Sequence, residues 1–270
     1  MKYEEFRALY DRLCSYKDVK GLSEQTGLDE ELLNVIYTQR TVREATKRHH
    51  IIKRNAPRML REWKSGSSLL SVAQKWNFPP VLTGLILFQE NGYSKKEFWK
   101  YVREPDSIPN PRLKKEIVEI TEADSIYSPW GNEVQYKRGA WGETKLQEWL
   151  ASHNISYRTE KDLRGKFAKT PDCLLDEPLK VNGWTINWIE SKASFGDRVE
   201  FNKNIRGQLA QYVDMFGHGL VVYWFGHVDD MECPPGIEII DACLCDLACE
   251  KAAAGAADFC PEEIPNNSQA

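Results

Sequence analysis

Thr170-Pro171-Asp172-Cys173-Leu174-Leu175 and, further on, Trp184-Thr185-Ile186-Asn187-Trp188-Ile189-Glu190-Ser191-Lys192 are the stretches on which the reading of this chain turns. Their apolar, β-branched and aromatic residues predict a short strand over Asp172–Leu175 and a second over Trp184–Glu190, with Asp176–Gly183 as the turn. Side chains alternate along a strand, so Glu190 and Lys192 emerge on one face, and Asp172, opening the partner strand, can face them. Two carboxylates and a lysine at one end of a strand pair are what phosphodiester cleavage with a divalent cation requires.

The pattern is the P-D…(D/E)-x-K signature of metal-dependent nucleases, and its second half alone is common. Asp18-x-Lys20, Glu62-x-Lys64 and Glu143-x-Lys145 also fit it. Those three sit in helical or capping stretches, where positions i and i+2 point to different faces. At the strand pair, Asp172 and Glu190 would hold one or two Mg²⁺ or Mn²⁺ ions, with the Ser191 carbonyl as a backbone ligand. Lys192 would orient or deprotonate the attacking water, or offset the extra charge of the transition state. Glu143 is a candidate third carboxylate, against the plainer reading of a solvent-facing helix glutamate. Gln208 and Tyr212, four apart on a following helix, share a face and are candidates to reach a metal-bound water or the substrate backbone; ordinary helix packing is the alternative. Lys203 and Arg206 are placed to steer a strand toward the metal. Trp184 and Trp188 read as core rather than as base-stacking platforms.

Around this centre, 270 residues suit one large or two modest domains, and 41% hydrophobic with 28% charged residues is ordinary globular composition. Met1-Lys2-Tyr3-Glu4-Glu5 lacks the apolar core of a signal peptide and no run suits a membrane helix, so an intracellular location is expected: cytoplasm or nucleoid, or the nucleus in a eukaryote. Seven cysteines are too sparse for a disulfide scaffold. Charge is uneven: 22 Lys and Arg face 14 Asp and Glu through residue 115, against 14 and 26 in the remainder. A basic front half fits phosphate contact.

That front half, 1–110, reads as an all-α, helix-turn-helix-like nucleic-acid-binding domain. Leu22–Ile36 predicts a helix, a turn at Gly27 and a second helix capped by Asp29, and Ser68–Phe88 repeats the arrangement around Trp76–Pro80. Between them run Arg43, Lys47, Arg48, Lys53, Arg54, Arg58, Arg61 and Lys64, with His49 and His50, and phosphate contact is the expected role. Three prolines in Glu104–Pro111 mark the expected domain boundary. After a short helix and a polar loop through Ser128–Asn132, helices are expected over Gly142–Ser152 and Asn204–Phe216, with a polar loop over Leu163–Lys169. A buried strand is expected over Gly219–Gly226 and another over Gly236–Ile240. With one strand unassigned, this is the α-β-β-β-α-β order of a restriction-endonuclease-like core, an α/β mixed sheet flanked by helices over 111–250. Residues 251–270 are expected to form a disordered tail.

Four elements together carry a resemblance: Thr170-Pro171-Asp172; Trp188–Asp197; Gln208 with Tyr212; and Phe216-Gly217-x-Gly219-Leu220-Val221-x-Tyr223-Trp224. The chain resembles the codanin-interacting nuclease family, a group once filed under an uncharacterised T-P-D domain and similar to archaeal Holliday-junction resolvases. The likeness is sharp over 138–226. It implies a divalent-metal-dependent nuclease with Asp172 and Glu190 as metal ligands and Lys192 as the catalytic lysine. It implies a codanin-type partner in a eukaryote, and DNA repair or recombination otherwise. DNA is the expected substrate, in structured or branched form; a homodimer is left open.

Two other classes compete. A DNA-binding regulator with an inactive core would rest on the helix-turn-helix pair, though all three signature residues are intact. A metal-cluster protein would use Cys233, Cys243, Cys245 and Cys249, whose spacing matches no standard zinc pattern.

Overall fold

The computed structural model describes residues 1–246, 250 and 251. The chain divides into two compact units, one of residues 12–137 and the other of residues 1–11 with 138–270. The division falls inside a long helix rather than at the proline-rich segment 104–111. There Pro105 opens a short 3₁₀ turn, Pro105–Ser107, and Pro111 opens the next helix. The segment 251–270, expected as a disordered tail, lies outside the described residues except for Lys251.

The helical unit contains α2 (Lys17–Thr26), α3 (Glu30–Lys64), α4 (Leu69–Lys75), α5 (Pro80–Glu90), α6 (Lys95–Arg103) and α7 (Pro111–Ala123); α1 (Tyr3–Arg12) belongs mainly to the other unit. Helices form on both sides of each expected turn, α2 and α3 around Gly27 and α4 and α5 around Trp76–Pro80. Gly27 closes α2 at φ 72°, a left-handed conformation that glycine adopts freely. Asp29 then caps α3 by accepting from the Glu31 and Leu32 amides. The second helix is 35 residues long and runs through Pro57 to Lys64. Its apolar face, with Ile52, Ala56 and Met59, buries against Val72, Val81, Phe88, Phe98 and Ile120.

The second unit is built on a sheet. It begins with α8 (Pro129–Ser152), whose first turns occupy the stretch read as polar loop and whose C-terminal part packs here. Next come β1 (Tyr157–Thr159), α9 (Glu160–Leu163), β2 (Cys173–Val181), β3 (Trp184–Lys192), α10 (Arg198–Asn204), a π-helical turn (Ile205–Leu209), α11 (Ala210–Phe216), β4 (Gly219–Tyr223), β5 (Ile237–Asp241) and β6 (Glu250–Lys251). The order in the sheet is β1-β2-β3-β4-β5, with β6 on β2. β1, β2 and β3 pair antiparallel, while β3, β4 and β5 run parallel. The strand left unassigned in the sequence is therefore Tyr157–Thr159, and part of the expected Leu163–Lys169 loop opens as the end of α9.

The expected eight-residue turn is corrected to two residues. Asn182 and Gly183, both at positive φ (51° and 85°), make the tight reversal, an arrangement that suits the right-handed twist of the flanking strands. Asp176–Pro178 instead form an irregularity within β2, where Leu174 faces Trp188 but Leu179 already faces Ile186. Pro178 has no amide hydrogen to give a ladder, which favours a bulge there.

One sheet face packs against α8 through Ile189, Leu220 and Val222 with Leu146, Trp149 and Leu150. The other packs against α10–α11 through Leu174, Trp188 and Val221 with Phe201, Tyr212 and Phe216. Helix α1 adds Phe6, stacked on Phe195 at 5.1 Å between ring centroids. Trp188 is core as expected, but Trp184 is 48% exposed. It sits next to the hairpin turn, beyond the reach of the helices.

β4 can lie beside the Trp188 ring only because residue 219 is glycine: a Cβ there would fall 1.9 Å from Trp188 Cε2. Gly219→Ala is expected to destabilise this unit by about 3 kcal/mol, near the top of the usual range for overpacking. Urea denaturation followed by tryptophan fluorescence measures it.

Candidate active site

The register Cys173↔Ile189 brings the start of β2 level with the end of β3. Asp172, on the bend before β2, therefore meets Glu190. The Asp172 amide donates to Glu190 Oε2 at 3.2 Å, and the Ser191 amide donates to Asp172 Oδ2 at 2.8 Å. Lys192 Nζ reaches Glu190 Oε1 at 2.5 Å across the two-residue period of the strand. The three residues read from the sequence thus converge on the α10–α11 side of the sheet.

Gln208 also donates to Glu190 Oε1, through Nε2. It does so from the π-helical turn, which interrupts the continuous helix expected over Asn204–Phe216; such turns often occur at functional sites. Lys169 Nζ reaches the Gly207 carbonyl in the same turn. Tyr212 donates from its hydroxyl to the Thr170 carbonyl at 2.6 Å and packs edge-on against Trp188 at 5.3 Å. Burial, reinforced by Glu190 and Asp172, pushes the Tyr212 hydroxyl well above its ordinary value, so it stays protonated. Its observed contact is with the Thr-Pro-Asp backbone rather than with a metal-bound water. Lys203 pairs with Glu200 at 3.2 Å and Arg206 donates to the Asn202 carbonyl, so both are engaged on their own helix surface.

Glu143 makes no direct bond to the trio, but its charge adds a smaller repulsion at Asp172. The Asp172 carboxyl is pushed up to about 7, first by burial and then by Glu190; the Ser191 amide and Lys192 oppose the shift. One ammonium does not neutralise this acidic centre. Asp172 and Glu190 supply hard oxygen donors of the kind Mg²⁺ or Mn²⁺ prefers. Among the described residues no three His, Cys, Asp or Glu side chains form a metal-binding group. Two carboxylates still fit an ion that keeps several of its waters. Cys233 is a free thiol, and Cys249 lies outside the described residues.

The sequence reading missed the layer behind β3. Trp224 Nε1 donates to Ser191 Oγ at 2.8 Å. Gly142 passes so close that a Cβ would fall 2.7 Å from the Trp224 ring and 3.0 Å from Ser191 Oγ. A glycine inside a helix with no nearby end was the available signal.

In the helical unit, the basic run is not uniformly available. Arg48 donates to the Trp76 and Asn77 carbonyls, tying α3 to the turn before α5. Lys47 pairs with Glu44, and Arg58 lies near Glu62 and over the Trp76 ring. Arg43 is half-buried. Lys53 and Arg54 are exposed.

An α/β sheet presenting two carboxylates and a lysine from one strand pair defines the class of protein. Residues 109–243 match a family described as "Protein of unknown function TPD sequence-motif". The proteins named CDAN1-interacting nuclease 1 are similar: that of Mus musculus is 33% identical over 180 residues, 63% of this chain and 64% of its own length. The Danio rerio protein is 34% identical over 173 residues, 61% and 58%, and the Homo sapiens protein 32% identical over 180 residues, 63% and 64%. The chain belongs to this family, the codanin-interacting nucleases. The match spans less than two thirds of those relatives' length. No solved structure matches. No helix among the described residues is long and apolar enough to cross a membrane.

The unfolded chain ionises Asp172 near its ordinary value of 3.8, whereas the folded, metal-free protein does so near 7. Between these pH values the folded state holds the extra proton, so stability falls as pH rises, with the whole penalty present above about 7. Thermal melts in chelator at acid and alkaline pH are expected to show this decline. They should be flatter for Asp172→Asn, which removes the ionisation.

Proposed function

We propose that this protein is a divalent-metal-dependent nuclease of the PD-(D/E)xK type, with a restriction-endonuclease-like core. It hydrolyses phosphodiester bonds in DNA, in structured or branched form, in repair or recombination. The observation that carries this reading is the convergence of Asp172, Glu190 and Lys192 at one end of the β2–β3 pair. The family's named nucleases support it.

Asp172 and Glu190 would hold Mg²⁺ or Mn²⁺, with the Ser191 carbonyl as a candidate further ligand. When bound, the cation supplies electrophilic activation of the phosphate and a more acidic water. Glu190 Oε1 accepts from both Lys192 and Gln208 while Oε2 accepts from the Asp172 amide, so both carboxylate oxygens are held beside Asp172. Lys192, mostly buried beside Glu190, orients the attacking water and offsets charge gathering on the phosphate. Tyr212 fixes the Thr170 carbonyl and with it the approach of Asp172 to Glu190.

Cleavage of labelled DNA and RNA structures with Mg²⁺ or Mn²⁺ tests the reading. Lys192→Ala is expected to lower the rate at least about a hundredfold while substrate binding persists. Unchanged cutting would assign the activity to another centre. Chelator should abolish cleavage, and added Mg²⁺ should restore it.

The exposed part of the α3 basic run supports DNA contact. Replacing Lys53 and Arg54 together by Glu is expected to weaken DNA binding and reduce its dependence on salt, as fluorescence anisotropy across a salt series would show. The relatives' name states interaction with CDAN1, and we extend a codanin-like partner to this chain as part of the proposal.

A further inference from the structure

Trp141 is 43% exposed although it lies next to Gly142, where a Cβ would fall 2.7 Å from the Trp224 ring. Successive helix positions turn by about 100°, so Trp141 and Glu143 leave α8 on opposite sides of Gly142. On the Glu143 side is the acidic centre. On the other, the Trp141 ring lies 5.8 Å from Trp224, steeply inclined at 70°, and 5.9 Å from Phe225. Trp224 is bonded to Ser191, the residue between Glu190 and Lys192. A single aromatic layer therefore ties the exposed indole to the catalytic strand. The half-buried Phe225 extends the apolar surface.

The charges beside this indole match a nucleic-acid strand. Arg138 and Lys145, at i−3 and i+4, share the Trp141 face of α8. The Arg138 guanidinium lies 5.9 Å from the Phe225 centroid. Lys145 is 45% exposed, and its 3.2 Å pair with the solvent-facing Glu148 is screened by water. An aromatic surface between two basic side chains can stack a base while they hold the adjoining phosphates.

We propose that Trp141 is a stacking platform for an unpaired nucleobase of the bound substrate, away from the acidic centre, so that the preferred substrate carries unpaired nucleotides. The proposal rests on the nuclease reading and deepens it by naming the substrate class. Bases inside a continuous duplex are already stacked on both faces and offer none to the indole. A flap, a branch point or a single strand does.

The test uses the full chain and DNA bearing 2-aminopurine in three settings: a single strand, a flap at its branch point, and an uninterrupted duplex. Binding is read with Ca²⁺ in place of Mg²⁺, and cleavage is measured separately with Mg²⁺. Wild-type protein is expected to quench the unpaired 2-aminopurine. Trp141→Ala should lose the quench and weaken binding to the strand and flap about tenfold, with duplex binding changed less than about twofold. Trp141→Phe should keep most of both and serves as the folding control. Cutting of flap or single strand should fall in step with binding for Trp141→Ala.

An unchanged quench and unchanged substrate preference in Trp141→Ala overturn the platform, even if the nuclease reading holds. Failure of wild-type protein to cut any substrate, with a Trp141-dependent quench intact, overturns the nuclease reading and supports the platform. Loss of cleavage in Lys192→Ala with the quench retained supports both.

Discussion

The sheet-bearing unit depends on one costly contact: two carboxylates, Asp172 and Glu190, held against each other where little water reaches them. Like charges in a poorly solvated place repel strongly, and burial adds its own penalty. The fold accepts this through backbone donors and one lysine. The amides of Asp172 and Ser191 each bond a carboxylate of the opposite strand, so the hairpin ladder itself locks the acids together. Lys192 supplies positive charge from the same strand. The residual imbalance is what pushes the Asp172 carboxyl up to about 7.

The surrounding layers maintain that contact. On one face, the π-helical turn brings Gln208 to Glu190 and α11 brings Tyr212 to the Thr170 carbonyl. On the other, Trp224 and Gly142 secure Ser191 from behind. These supports fix the two carboxylates relative to one another, and positioning on the scale of about 1 Å is what any chemistry at this place would depend on. Neither face could be replaced by generic hydrophobic packing without releasing one of the acids.

The helical unit follows a different logic. A continuous apolar face along α3 buries against α4–α7, and much of the opposite face is basic. Within the run Lys53 and Arg54 face water, whereas the Arg48 guanidinium closes the carbonyls of a turn. Which arginines serve phosphate and which serve the fold depends on what lies next to each, and that is not encoded in their order.

The meeting of Asp172, Glu190 and Lys192 was legible because it is local in pattern: a period of two places Glu190 with Lys192, and a hairpin returns Asp172 to them. The turn at Gly27 and the cap at Asp29 were legible for the same reason, since a short segment determines each. The hairpin's true length was within reach, because Asn182-Gly183 is a tight-turn dipeptide, but the polar Asp176–Pro178 bulge disguised β2. The π-helical turn, the Trp224–Ser191 bond and the exposure of Trp141 were not legible. They arise where side chains distant along the chain meet, and their geometry is set by packing distance. By itself the sequence determined which residues carry charge and which local periods they obey. The tertiary structure alone decided which of those charges are desolvated against one another, because that depends on how closely β2, β3, α8 and α11 pack.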